Sequence, residues 1–149
     1  MPCLARAVME GVGFSARHLL EHLQQAAGHD CVSMVISGGA ASSDQWCQMK
    51  ADIMNCTLNR VENIDTGVFG AALIAAAGAG LYQDLDEAIA QSIVLNRSFV
   101  PQSSQRERYD ALYGVYRESY HHLRAVFDRL YQISENRPQG ISYVDSSRH

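Results

Sequence analysis

Residues 36–52 carry the densest chemical signal in the chain: Ile36-Ser37-Gly38-Gly39-Ala40-Ala41-Ser42-Ser43-Asp44-Gln45-Trp46-Cys47-Gln48, with Ala51-Asp52 close behind. The segment begins where the apolar run of residues 32–36 stops. It passes through two glycines and several small residues into an amphipathic helical pattern. A strand, a glycine turn and a helix start in succession bring backbone N–H groups close to a ligand, because glycine has no Cβ in the way. The helix adds unpaired N–H groups and a partial positive charge at its first turn. The chemistry that suits this arrangement is contact with a phosphate or a nucleotide. A Gly-Gly pair alone serves equally well as a plain turn, so the surrounding residues decide between the two.

The elements that position this turn can be read from periodicity. Leu4, Val8, Val12, Leu19 and Leu23 recur at helical steps, which predicts a helix over residues 4–25, with Gly11 and Gly13 allowing close packing against a neighbour. Residues 31–36 form a strand with Val32, Met34 and Ile36 in its pattern. The helix after the turn starts near Ser42 or Ser43, where Ser42 and Gln45 fit a capping box and Asp44 suits the positive helix end. Trp46, Met49, Ile53 and Met54 form its buried stripe. Residues 57–61 make a second strand, and a turn leads into an Ala/Gly-rich helix ending near Leu81, which reads as a tightly packed core helix. A short helix capped by Asp84 or Asp86 follows, then an extended stretch over residues 94–100, broken by Pro101. A long helix over residues 104–135 carries Tyr109, Leu112, Tyr116, Tyr120, Leu123, Phe127 and Leu130 at steps of three and four. Tyrosine at seam positions and fewer than four heptads favour packing onto its own domain over a coiled coil. The order is α-β-α-β-α-α-α, and residues 136–149, with no periodicity, are expected to form a flexible tail.

Composition narrows the function classes. At 149 residues with 47% apolar content, one globular domain is expected, residues 1–135. A net charge of −4, with Lys50 the only lysine, provides no basic field for nucleic acid. No apolar run approaches the ~18 residues of a membrane span, and residues 1–11 lack the apolar stretch of a signal peptide. Cys3, Cys31, Cys47 and Cys56 form no C-x-x-C pair and match no zinc spacing, so free thiols in a cytoplasmic protein are expected. His18 and His22 stand at an i, i+4 spacing but have no third ligand in view, and read as a half-exposed helix face. Asp65, Asp84 and Asp86 each sit beside a helix start, where carboxylates cap. No residue is assigned as catalytic and no metal site is expected.

The pattern Gly38-Gly39-Ala40-Ala41, Ser43, Trp46, Gln48, Ala51-Asp52 resembles the adenine-side motif of the FGGY carbohydrate kinases, the family of xylulose, ribulose, gluconate and glycerol kinases. Leu4-Ala5-Arg6-Ala7-Val8-Met9-Glu10-Gly11 is similar to the tail of that family's second signature. Gly67-Val68-Phe69-Gly70-Ala71-Ala72 is similar to its late small-residue helix. The resemblance runs from about Leu4 to about Ile133. Ser37 and Cys3 depart from the pattern, the first modestly: the family favours a third glycine or another small residue before the glycine pair, and His, Asn or an acid where Cys3 stands. Trp46 and the Ala-Ala pair match the pentulose and keto-sugar branch better than the glycerol branch.

The resemblance implies a partial ribonuclease-H-like lobe of the actin-type ATPase class, an α/β fold with few strands flanked by helices and a long C-terminal helix. It implies that Gly38, Gly39 and Ala40 touch the adenosine or its phosphate through their backbone, and that Ser43 meets the adenine edge. Trp46 is expected in the core; Gln48 and Asp52 either support the nucleotide contacts from behind or have a helix-surface or turn-bonding role. The complete enzyme would use ATP with Mg2+ to phosphorylate a sugar hydroxyl. The family's catalytic aspartate, sugar site and phosphate hairpin have no counterpart in these residues, so this chain alone is expected to be inactive. It is expected to bind adenine nucleotide weakly and to hold no cofactor tightly. Its expected partner is a second copy or a missing N-terminal kinase lobe. A non-catalytic module that binds nucleotide or protein is the alternative.

Overall fold

The structure, a computed structural model, describes residues 3–63 and 65–135. The tail expected over residues 136–149 lies outside them. The elements run α1 (Cys3–Ala27), β1 (Ser33–Ile36), a 3-10 turn (Gly39–Ser42), α2 (Asp44–Met54), β2 (Thr57–Val61), α3 (Thr66–Gly78), α4 (Leu85–Ser92), β3 (Leu95–Phe99) and α5 (Ser103–Glu135). The chain divides into two compact units, Met1–Tyr113 and Gly114–His149. The described part of the second is the distal portion of α5.

The sheet has the order β1-β2-β3. β1 and β2 run parallel, joined by the glycine turn and α2, with Ser33 opposite Thr57 and Ile36 opposite Arg60. A parallel pair needs such a crossover. β3 lies antiparallel on the other side of β2, with Leu58 opposite Phe99, Arg60 opposite Arg97, and an irregularity between Arg60 and Val61. The sequence pattern shows residues 94–100 only as extended. The third strand comes from the free edge of β2, a partner distant in sequence.

The core sits between this sheet and α2. Ala41, Cys47, Ala51, Leu58 and Phe99 are buried together, with Met34 and Ile36 packed against them. Trp46 is buried, as expected. α1 crosses α2 where a Cβ on Gly13 would stand 2.6 Å from Ile53 Cδ1, so this glycine serves close packing. A Cβ on Gly11 would meet nothing within 4 Å, so this glycine serves no such contact. Phe14 of α1 meets Tyr109 and Tyr113 of α5, each with ring centroids 6.2 Å apart. Arg17 Nη1 pairs with Asp110 Oδ1 at 2.7 Å, and the Tyr113 hydroxyl donates to Glu21 Oε2 at 2.7 Å. Burial works against the Asp110 carboxylate, but hydrogen bonds from Arg106 and Arg17 hold its pKa below the ordinary range. Cys47 and Cys56 are buried, Cys31 is half-buried and Cys3 exposed. Burial, then the neighbouring Cys31, push the Cys56 thiol up to about 11.

Two expectations of burial are corrected. In α3 only Leu73 is buried, while Val68 and Ile74, and Leu81 just beyond the helix, are exposed. A helix apolar all round needs cover on several sides, and α3 packs chiefly on α4. On α5, Tyr109 of the expected stripe is buried, as is Tyr113 beside it, while Leu112, Tyr120, Leu123, Phe127 and Leu130 are exposed.

Candidate nucleotide site

The turn is built by one backbone conformation. Gly38 has φ 82° and ψ 174°, a region that only glycine occupies without strain. Its carbonyl accepts the Ala41 N–H at 2.9 Å and so closes the 3-10 turn. The Ser42 hydroxyl donates to the Gly39 carbonyl at 2.7 Å, tightening the same turn. Ser42 therefore belongs to the turn, and the expected Ser42–Gln45 capping box does not form. Ser43 is the cap instead: its Oγ accepts the Trp46 N–H at 3.3 Å. Asp44 occupies the first helical position, where a negative charge suits the helix dipole.

The four sequence-predicted residues thus share one surface. Gly38 is half-buried at its base, while Gly39, Ala40 and Ser43 are exposed. A Cβ on Gly39 would meet no protein atom within 4 Å, so the space over it is open. Ser43 accepts the cap bond with one lone pair and keeps its O–H and second lone pair for a polar ligand edge. The turn lies at the carboxyl end of the parallel β1–β2 pair, the end at which open α/β sheets bind ligands. Beside it, the Thr66 hydroxyl at the start of α3 donates to Ser37 Oγ at 3.4 Å.

Gln48 and Asp52 bond a turn. Gln48 Nε2 donates to Asp52 Oδ1 at 2.9 Å and to the Val100 carbonyl at 2.8 Å, and the Gln102 N–H donates to Asp52 Oδ1 at 2.8 Å. Together they fasten α2 to the segment that leaves β3. Of the three candidate caps, only Asp84 works as one, accepting the Glu87 N–H at 2.8 Å. Asp86 lies in the first turn of α4, and Asp65 precedes α3 without a side-chain cap bond. The His18 and His22 rings contact each other, and His18 Nδ1 is hydrogen-bonded with the Tyr113 hydroxyl. No group of three His, Cys, Asp or Glu able to hold a metal gathers among the described residues. No helix among them is long and apolar enough to cross a membrane.

Sequence reasoning missed Arg60 and Arg97. Arg60 Nη1 donates to the Ala41 carbonyl at 3.1 Å and pairs with Asp44 Oδ1 at 2.7 Å; Arg97 Nη1 pairs with Asp44 Oδ2. The available signal was Leu58-x-Arg60, which puts an arginine on the same strand face as a core leucine.

A positive-φ glycine turn between a parallel strand and a serine-capped helix forms one corner of the α/β lobe. Residues 1–79 match the C-terminal domain of the FGGY family of carbohydrate kinases. Xylulose kinase of Bacillus subtilis is 34% identical over 131 residues, covering 88% of this chain and 26% of that protein. The crystal structure of ligand-bound xylulose kinase from Lactobacillus acidophilus superposes with a TM-score of 0.71 at 26% identity, covering 85% of this chain and 26% of that one. Plasmodium falciparum glycerol kinase with ADP shares the fold, with a TM-score of 0.63 at 19% identity, covering 76% of this chain and 23% of that one. The chain belongs to the FGGY family of carbohydrate kinases, and it spans about a quarter of the length of the relatives it matches. The expected fold class, part of an actin-type ATPase lobe, holds.

Proposed function

We propose that this chain is the adenine-nucleotide-binding C-terminal part of an ATP-dependent carbohydrate kinase, which in complete form transfers a phosphoryl group from ATP to a hydroxyl of a pentulose or similar sugar. The observation that carries the reading is the Gly38–Ser43 turn: a glycine-only backbone at its base, exposed Gly39 and Ala40 above it, and a capped helix behind. Gly38, Gly39 and Ala40 contact the adenosine or its phosphate through the backbone, and Ser43 contacts the adenine edge. Relatives that are xylulose and glycerol kinases, and a glycerol kinase of the same fold solved with ADP, support this assignment. Magnesium would come with the nucleotide's phosphates, which the ion holds in this chemistry.

Phosphoryl transfer depends on positioning two substrates and on meeting the charge that develops between them. This chain contributes the adenosine end, and the rest of the kinase contributes the acceptor site and the γ-phosphate contacts. The exposed apolar residues of α1 and α3 are the surface on which that remainder, or a second copy, packs. Calorimetric titration with ADP tests the binding role: weak binding that disappears in Gly39→Val supports it, and an unchanged affinity in the variant overturns it. Purified chain incubated with ATP, magnesium and a panel of pentuloses, hexuloses and polyols should release no ADP above the sugar-free rate. Sugar-dependent release that is lost in Gly39→Val would show that the chain alone is a kinase.

A further inference from the structure

Two arginines face each other beside the turn. Arg60 of β2 and Arg97 of β3 are register partners, two residues along from the core pair Leu58 and Phe99, so all four side chains leave the same face of the sheet. Like charges directly opposite on neighbouring strands repel. Asp44 stands between them, one carboxylate oxygen to each guanidinium. Arg60 makes two further bonds, from Nη1 to the buried Ala41 carbonyl and from Nε to Asn96 Oδ1, each at 3.1 Å. Both guanidinium carbons lie over the Phe99 ring, at 5.6 and 5.3 Å. Their exposure differs: the Arg60 side chain is 14% exposed and that of Arg97 53%. Arg60 is fastened to the underside of the turn, while Arg97 is held by one carboxylate and faces water.

The charges decide what the site attracts. Asp44 alone would set a negative charge directly after Ser43, against an anionic ligand. With two arginines on it, the three groups sum to one positive charge. Resting on the nucleotide reading of the turn, we propose that Arg97 is the anion-contact residue of this site, held toward a nucleotide's phosphate by Asp44, and that Arg60 is the positioning residue that hangs the turn from the Ala41 carbonyl. The pair adds a side-chain cation to a site otherwise made of backbone and one serine.

ADP and adenosine share the base and ribose and differ in charge, so the two ligands separate the roles. Binding of each is followed by calorimetry in the wild-type chain, Arg97→Gln, Arg60→Met, Arg60→Lys and Gly39→Val. Arg97→Gln weakens ADP about tenfold and leaves adenosine unchanged, and the difference shrinks as salt rises from ~50 to ~500 mM. Arg60→Met weakens both ligands, because the turn itself shifts. Arg60→Lys also weakens both ligands, since lysine supplies the charge without the guanidinium fork that holds the turn. Asp44→Asn, which keeps size and removes the negative charge, strengthens ADP and not adenosine, and carries the test alongside Arg97→Gln if Arg60→Met does not fold. Equal losses of both ligands in Arg97→Gln, no loss in it, or wild-type adenosine affinity in a folded Arg60→Met overturn the assignment. If Gly39→Val abolishes binding while Arg97→Gln leaves the ratio unchanged, the turn remains the nucleotide site and only the arginine roles fall. Wild-type chain that binds neither ligand removes both.

Discussion

The two adjacent glycines of the turn should fail in opposite ways. Gly38 holds φ 82° and ψ 174°, so any side chain there strains the backbone even though nothing crowds the space around it. Such a conformation costs on the order of 1–3 kcal/mol for a residue with a Cβ. In a domain of this size each kcal/mol lowers the melting temperature by roughly 2–4 °C, so Gly38→Ala should melt about 2–12 °C below wild type. Gly39 has an ordinary φ and no protein atom within 4 Å of an added Cβ. Gly39→Val should therefore melt within about 2 °C of wild type, since substitution where the backbone is compatible is nearly neutral or mildly stabilising. Yet its side chain would fill the open space in which the ligand is proposed to lie, so ADP binding should be lost. Circular-dichroism melts and ADP titration on the same preparations separate the two effects. A Gly38→Ala variant as stable as wild type would refute the strain argument, and a Gly39→Val variant that binds ADP normally would refute the placement of the ligand.

Three further outcomes follow from the packing and the charges. Gly13→Ala drives a methyl into Ile53 and should lose about 1–3 kcal/mol by overpacking, whereas Gly11→Ala, with open space around it, should gain up to about 1 kcal/mol in helix propensity; chemical denaturation of the two variants checks the contrast. Asp110, with its folded pKa held below its unfolded value, contributes stability that is present above the ordinary carboxylate range and is lost as pH falls through the folded pKa; NMR titration should show its pKa rising in Arg17→Met, and an unchanged value would remove the ion pair as the cause. The exposed apolar residues of α1 and α3 should drive self-association at micromolar concentration, visible by sedimentation, and a monomer at every concentration would contradict this.

What could be read in the sequence was local. The strand, the glycine pair and the helix start lie within a few residues of each other, so chain order alone reveals them, while for the cap of α4 it leaves Asp84 and Asp86 as alternatives. Choosing between Ser42 and Ser43 failed because the 3-10 turn uses Ser42, a matter of geometry that serine spacing does not carry. β3 was hidden because Leu95-Asn96-Arg97-Ser98-Phe99 shows no alternation and is fixed by its pairing with β2. The Arg60–Asp44–Arg97 cluster joins three elements and appears only once the register is known. α3 shows a different limit: apolar composition states what a helix needs to bury, not which segment covers it.

The thiols grade from surface to centre, with Cys3 exposed, Cys31 half-buried, and Cys47 and Cys56 enclosed. Because the thiolate is the reactive form, burial of Cys47 and of Cys56, whose pKa stands near 11, suppresses their chemistry twice, by access and by protonation. The chain therefore carries its own clock for local opening. An alkylating reagent should consume Cys3 and Cys31 from the folded state, and take Cys47 and Cys56 only when the structure around each opens locally. Read by site-resolved mass spectrometry, the adduct on Cys47 measures the stability of the layer that holds the turn in place, without an engineered label and in the presence or absence of any ligand.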